Sequence, residues 1–181
     1  PGIFTTKITN ITTVSANSGG EIFNTGGSSI IQKGVCWGTS TNPTISDNHS
    51  DDGSGTDLFY SLLSGLSINT TYYVRAYATN SKGTGYGNEF VFKTFTGTVK
   101  DVENNSYFTS TIGTQIWMSQ NLKTTKYNDG TSIPLVTDGA TWSTIASPAY
   151  CWYNNDQSAN KDIYGALYNW YVVETGKLCP A

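Results

Sequence analysis

Residues 70–79, TTYYVRAYAT, alternate with a two-residue period that only an extended chain can use. Tyr72, Val74, Ala76 and Ala78 share one face, and Tyr73, Arg75, Tyr77 and Thr79 share the other. The small and branched set suits a core, which leaves Arg75 and Tyr77 pointing outward. SIIQKGVCW (29–37) and NEFVFKT (88–94) have the same strand character. Turn clusters separate them: SGG, NTGGSS, TSTNPT, DDGSG and NSKGTG. Their spacing over residues 1–95 is the roughly 8–12 residues of a β-sandwich.

Composition agrees with a mainly β protein of the extracellular type. Charged residues are only 13% of the chain and aromatics another 13%, and Thr, Ser, Asn and Gly take the place of the missing charges. The net charge is −3 and the ten Lys and Arg are scattered, so a phosphate backbone finds no basic cluster and nucleic acid is not an expected partner. The longest mainly apolar run, Ala166 to Val173, is far too short to span a bilayer. The opening PGIFTTKITN carries no signal peptide, as in a trimmed secreted fragment or a cloned piece. Export must therefore be argued from other residues.

The stretch LSINTTYYVRAYATNSKG (66–83) resembles a fibronectin type III domain at Leu66, Tyr72, Val74, Ala76, Asn80 and Gly83. The resemblance implies that Tyr72 is a tyrosine-corner residue, its ring buried and its hydroxyl bonded to backbone near Leu66. Ile68 stands where that family usually has Pro. GVCWGTSTNPTI together with YYVRAYATNSKGTGYGNEF is similar to fibronectin-like repeats of exported Bacteroidota proteins. That likeness covers nearly all of 1–95 and implies fold and export more than chemistry.

Composition shifts after Thr94, and FTGTVKD (95–101) makes a short joint. Beyond it a hairpin is expected, with Tyr107, Ile112, Ile116 and Trp117 buried and a turn at NDG (128–130). Three blocks, IGTQIWMSQNLKTTKYNDGTSIP, YCWYNND and YGALYNWYVVETGKLCP, resemble the Fibrobacter succinogenes major paralogous domain. The resemblance implies a module at 96–181 with the α+β fold of C-type-lectin-like and formylglycine-generating-enzyme-like domains. It also implies a surface or secreted location, with any lipid anchor in a region not present here. That family normally continues past Cys179 and Pro180, so the module is expected to lack its C-terminal half. One helix is expected near 164–174, with Leu167, Trp170 and Tyr171 on one side and Gly176 just past its end. A strand is the competing reading for this Val- and aromatic-rich stretch. Tyr72, Leu66, Trp37 and Trp170 are assigned structural roles.

Cys36 reads as a small buried hydrophobe in a strand. Cys151 and Cys179 could form a disulfide across the expected helix, or remain thiols, or pair outside these residues. Zinc is not expected, since no CxxC pair exists and the single His49 is remote. His49 itself sits in SDNHSDDGSGTD, a poor place to hold a catalytic base. Asp47, Asp51, Asp52 and Asp57 in that loop could ligate calcium but lack the DxDxDG spacing, so a polar turn is the simpler reading and no cofactor is expected. Glu103, Asp129, Asp138, Asp156, Asp162 and Glu174 show no pairing suited to glycoside hydrolysis. An enzyme is not expected.

Aromatic faces beside Asn and Asp suit sugar binding, which marks Trp152, Tyr153, Asn155 and Asp156 in YCWYNND as candidate ligand contacts. Core packing of one alternate pair, Tyr150 and Trp152 or Cys151 and Tyr153, competes with that role. The expectation is an exported surface or extracellular protein. A fibronectin-like spacer (1–95) would carry a partial binding or adhesion module (96–181), whose partner is a glycan or surface polymer. The alternative is a structural repeat in a filament or adhesin stalk, partnered by other copies of itself.

Overall fold

The computed structural model describes residues 1–179. The chain divides into two compact units, Pro1–Thr96 and Gly97–Ala181.

In the first unit, β1 (Gly2–Thr5), β2 (Ala16–Asn24) and β5 (Phe59–Leu63) form one sheet in the order β1-β2-β5. The other runs β4-β3-β6-β7, from β4 (Asn48–His49), β3 (Gln32–Gly38), β6 (Thr71–Asn80) and β7 (Gly83–Tyr86). A further strand, β8 (Phe90–Lys93), takes up the rest of the β6 edge. All pairs are antiparallel, and the crossovers between sheets make this a fibronectin type III/Ig-like sandwich. The alternation of β6 does what it predicts: Tyr72, Val74, Ala76 and Ala78 enter the core with Ile3, Ile22, Val35, Phe59 and Leu63. Trp37 is partly buried against that core. Tyr72 is buried, and its hydroxyl accepts from the Ser67 backbone N–H at 3.0 Å, beside buried Leu66.

Tyr77 departs from expectation. It lies on the outer face of β6 yet is fully buried, because the 47–53 segment folds over it. Its hydroxyl donates to the Ser50 carbonyl at 2.7 Å, and the His49 ring meets it edge-on. Burial, reinforced by Asp51 and Asp52, pushes the Tyr77 phenol up to about 12. A two-residue period reports which face a residue occupies but not what a loop lays over that face.

The second unit opens with β9 (Gly97–Lys100), β10 (Ser106–Ile112) and β11 (Gln115–Met118), a sheet in the order β11-β10-β9. After a long irregular stretch come α1 (Gly139–Thr144), β12 (Tyr150–Trp152), α2 (Gln157–Tyr164), β13 (Ala166–Tyr168) and α3 (Trp170–Glu174). The NDG turn forms, with Gly130 at φ +85. A small core gathers Tyr127, Ile133, Tyr150, Trp152, Ala166 and Val172.

Two expectations for this unit are corrected. Of the hairpin residues, Tyr107 is buried, but Ile112, Ile116 and Trp117 are exposed. The single helix near 164–174 is instead two helices around a strand. Gly165 ends α2 at φ +70, Ala166–Tyr168 pairs with β12, and Asn169 caps α3 by accepting from the Val172 N–H. Leu167, Trp170 and Tyr171 are therefore exposed, and Val172 is the buried residue of α3. Trp170, 67% exposed, is not a packing residue here. Gly176 does adopt positive φ just beyond the helix end, at +66.

Candidate functional site

The candidate site lies within the second unit, where α2 folds back beside the 3₁₀ turn that follows β12. Asn154 and Asn155 both take positive φ, 51 and 55, which reverses the chain after Tyr153; Asn tolerates that region better than other side-chain-bearing residues. Asp156 then caps α2, accepting from the Ala159 N–H at 3.0 Å and the Ser158 hydroxyl at 2.7 Å. These bonds, Ser158 first, hold its carboxyl below the usual range. Asn155 donates to the Thr137 carbonyl at 2.8 Å and Asn160 to the Tyr153 carbonyl at 2.9 Å. One result is that the rings of Tyr153 and Tyr164 lie 5.0 Å apart, tilted by 47° and roughly half exposed.

These two rings line an open groove of about 540 Å³ with Leu167, Tyr168, Leu122 and Asn121. Its wall is held by a close approach: a Cβ on Gly165 would stand 2.4 Å from the Leu122 carbonyl oxygen. The Ala166 N–H donates to that oxygen at 2.9 Å. Lys123 reaches Asp162 on α2 at 2.7 Å. Behind the groove, Tyr168 donates to the Thr124 carbonyl at 2.6 Å. Glu103 accepts from the hydroxyls of Thr124 and Thr125 at 2.9 and 2.8 Å, and from the Thr125 N–H.

The four candidate contacts thus separate. Trp152 is 3% exposed and belongs to the core, because β12 alternates Tyr150 and Trp152 inward. Tyr153 lines the groove, while Asn155 and Asp156 are engaged in building the turn and the cap that aim it. Tyr164, Leu167 and Asn121 complete the lining and were not singled out from sequence. The available signal was a Tyr directly before Gly at the end of a segment capped by Asp156.

The candidate Cys151–Cys179 disulfide does not form: Cys36, Cys151 and Cys179 are all free, in line with the thiol alternative. Cys151 turns to the outer side of the β12–β13 ribbon, toward Trp142 and Leu167. Cys179 lies instead by Val99, Thr109 and Met118, so the two thiols occupy different faces.

The acids serve local structure. Asp138 and Asp156 are helix caps, Asp129 pairs with Lys177 at 2.9 Å, and Asp162 pairs with Lys123. In the first unit, Asp47 accepts from Thr44, Asp51 from Gly53 and Asp52 from Ser50 and Ser61. Among the described residues no three His, Cys, Asp or Glu are grouped as metal ligands.

Residues 111–181 match the Fibrobacter succinogenes major domain. The match takes in every lining residue of the groove. It is consistent with a surface or extracellular module, and no helix among the described residues is long and apolar enough to cross a membrane. No curated protein matches the chain. Among solved structures, the sensor domain of the anti-sigma factor RsgI4 in Pseudobacteroides cellulosolvens is similar at 17% identity. It covers 51% of this chain and 92% of that one, with a TM-score of 0.37. A fibronectin type III domain derived from human KIAA0970 protein is 11% identical over 51% of this chain and 72% of that one, with a TM-score of 0.36. The sandwich assignment rests on strand order and the Tyr72 corner, which are features of this chain itself.

Proposed function

We propose that this chain is an exported, non-catalytic surface module whose second unit binds a carbohydrate in the Tyr153–Tyr164 groove. The observation that carries the reading is that pair of half-exposed rings, 5.0 Å apart, lining an open depression. Sugar rings present C–H faces that pack on aromatic faces, and their hydroxyls take partners such as the Asn121 amide at the rim. The lining residues carry no formal charge, which favours a neutral sugar over a uronate or a phosphorylated one. The sandwich unit supports the role of a spacer that displays the groove.

The test is retention of the full chain on a panel of neutral and acidic polysaccharides, followed by calorimetry on any that bind. Tyr153→Ala and Tyr164→Ala should each weaken binding about tenfold, ~1.4 kcal/mol, with the thermal transition of the fold unchanged. Failure to bind any glycan, or variants that bind like the parent, would reject the proposal.

A further inference from the structure

The exposed hairpin β10–β11 ends the second unit's sheet, and no described strand pairs with the outer edge of β11. Its turn is the two-residue pair Gly113-Thr114, with Gly113 at φ +61, and Ile112 faces Gln115 across it. Pairing alternates from that point. Gln115 and Trp117 exchange backbone bonds with β10, while Ile116 and Met118 direct their N–H and C=O groups outward. Edge strands are usually guarded by Lys, Pro or a bulge. Here residues 113–122, GTQIWMSQNL, contain neither charge nor Pro, and Ile116 is 72% and Trp117 53% exposed.

We propose that β11 pairs antiparallel with β11 of a second copy of this chain, the two-fold axis passing between their Trp117 residues. The outward groups set this register. Ile116 of each copy exchanges backbone bonds with Met118 of the other, on the order of four bonds in all. Trp117 then faces its own copy in a non-hydrogen-bonded pair, where Cα atoms stand about 4.5 Å apart and side chains are nearest. Aromatic cross-strand pairs are among the favourable ones. Ile116 gains the Met118 side chain of the other copy on the opposite face. Charge permits the self-match: although the chain carries −3, its charges lie off this edge, so no like charges meet across the two-fold. The exposed surface of Ile116 and Trp117 in two copies sums to roughly 600 Å², well short of the ~1,200–2,000 Å² that standing dimers bury. The expected dimer is therefore weak, forming at about 100 μM and above.

Analytical ultracentrifugation of the full chain from about 10 μM to 1 mM tests this, with the thermal transition as the fold control. The parent should shift from monomer to dimer across that range. Met118→Pro removes an outward N–H, which the pairing with β10 does not use, together with the Met118 side chain, and Trp117→Lys sets two like charges face to face; each should remain monomeric with its fold intact. Should Met118→Pro fail to fold, Trp117→Lys and Ile116→Lys decide the matter. Tyr164→Ala, in the groove, should dimerise as the parent does. Register is read by oxidation in a Cys151→Ser, Cys179→Ser background: Trp117→Cys should form a covalent dimer and Gln115→Cys should not. A parent that stays monomeric at 1 mM, a dimer that survives Trp117→Lys, or equal cross-linking at both positions would overturn the proposal.

Discussion

The Tyr107 hydroxyl donates to Asp101 Oδ2 at 2.6 Å and accepts from the Lys123 backbone N–H at 3.1 Å. One buried phenol thus joins the β9–β10 connection to the segment that leads toward the groove. Burial, followed by the Asp101 acceptor, raises the Tyr107 phenol. For Asp101, burial alone would favour the neutral acid. The bonds from Tyr107, Asn105 and the Glu103 N–H outweigh it and hold the carboxyl below its ordinary value. Glu103 behaves likewise: burial opposes its charge, and Thr125 and Thr124 stabilise it.

A depressed acid contributes stability that is complete above its unfolded-state value and lost as pH falls through its folded-state value. The second unit should therefore hold its stability above about pH 4 and lose it progressively below that. Tyr107→Phe removes a donor from Asp101 and an acceptor from Lys123, at about 1–3 kcal/mol. It should also move the acid transition to higher pH. Urea unfolding followed across pH 2–7, roughly the span of the carboxylates, checks both effects.

The corner bond of Tyr72 gives a cleaner single-atom test. Tyr72→Phe keeps the ring in the sandwich core and deletes the acceptor of the Ser67 N–H. The expected loss is about 1 kcal/mol, seen as a lower urea midpoint with an unchanged slope.

Gly165 is predicted to be intolerant of any side chain. It combines φ +70 with a Cβ position 2.4 Å from backbone, whereas Gly176 has φ +66 but open space around it. Gly176→Ala should cost about 1 kcal/mol from backbone strain alone. Gly165→Ala should cost appreciably more and disturb the groove wall. Thermal melts of the two variants, side by side, separate strain from collision.

The three thiols should alkylate in a fixed order under native conditions at mildly alkaline pH. Cys179 is exposed and reacts first, and half-buried Cys151 is slower because burial raises its thiol. Cys36 is fully buried with its thiol pushed up to about 11, chiefly by burial, and should react only on unfolding. Mass-resolved labelling against time checks the order.

The sandwich was legible in the sequence because its information is local and periodic. The alternation of 70–79 assigns Tyr72, Val74, Ala76 and Ala78 to the core whatever surrounds them, and the turn clusters space the strands. The same was true of the NDG turn and of the positive φ at Gly176, where one residue type meets one backbone requirement. The candidate site was legible only in part. Tyr153 could be marked from its neighbours, but its partner Tyr164 lies eleven residues on and arrives through the cap at Asp156 and the reversal at Asn154.

What the sequence alone determined, then, is the β class of the first unit, its core face and the aromatic character of the second. The tertiary structure decided the rest. A loop buries Tyr77 on a face that the period calls outer. The close approach of Leu122 to Gly165 divides an expected helix into two around a strand. The edge position of β11 leaves Ile116 and Trp117 in water. Each outcome depends on a contact between residues far apart in the chain, and a local pattern carries no information about such contacts.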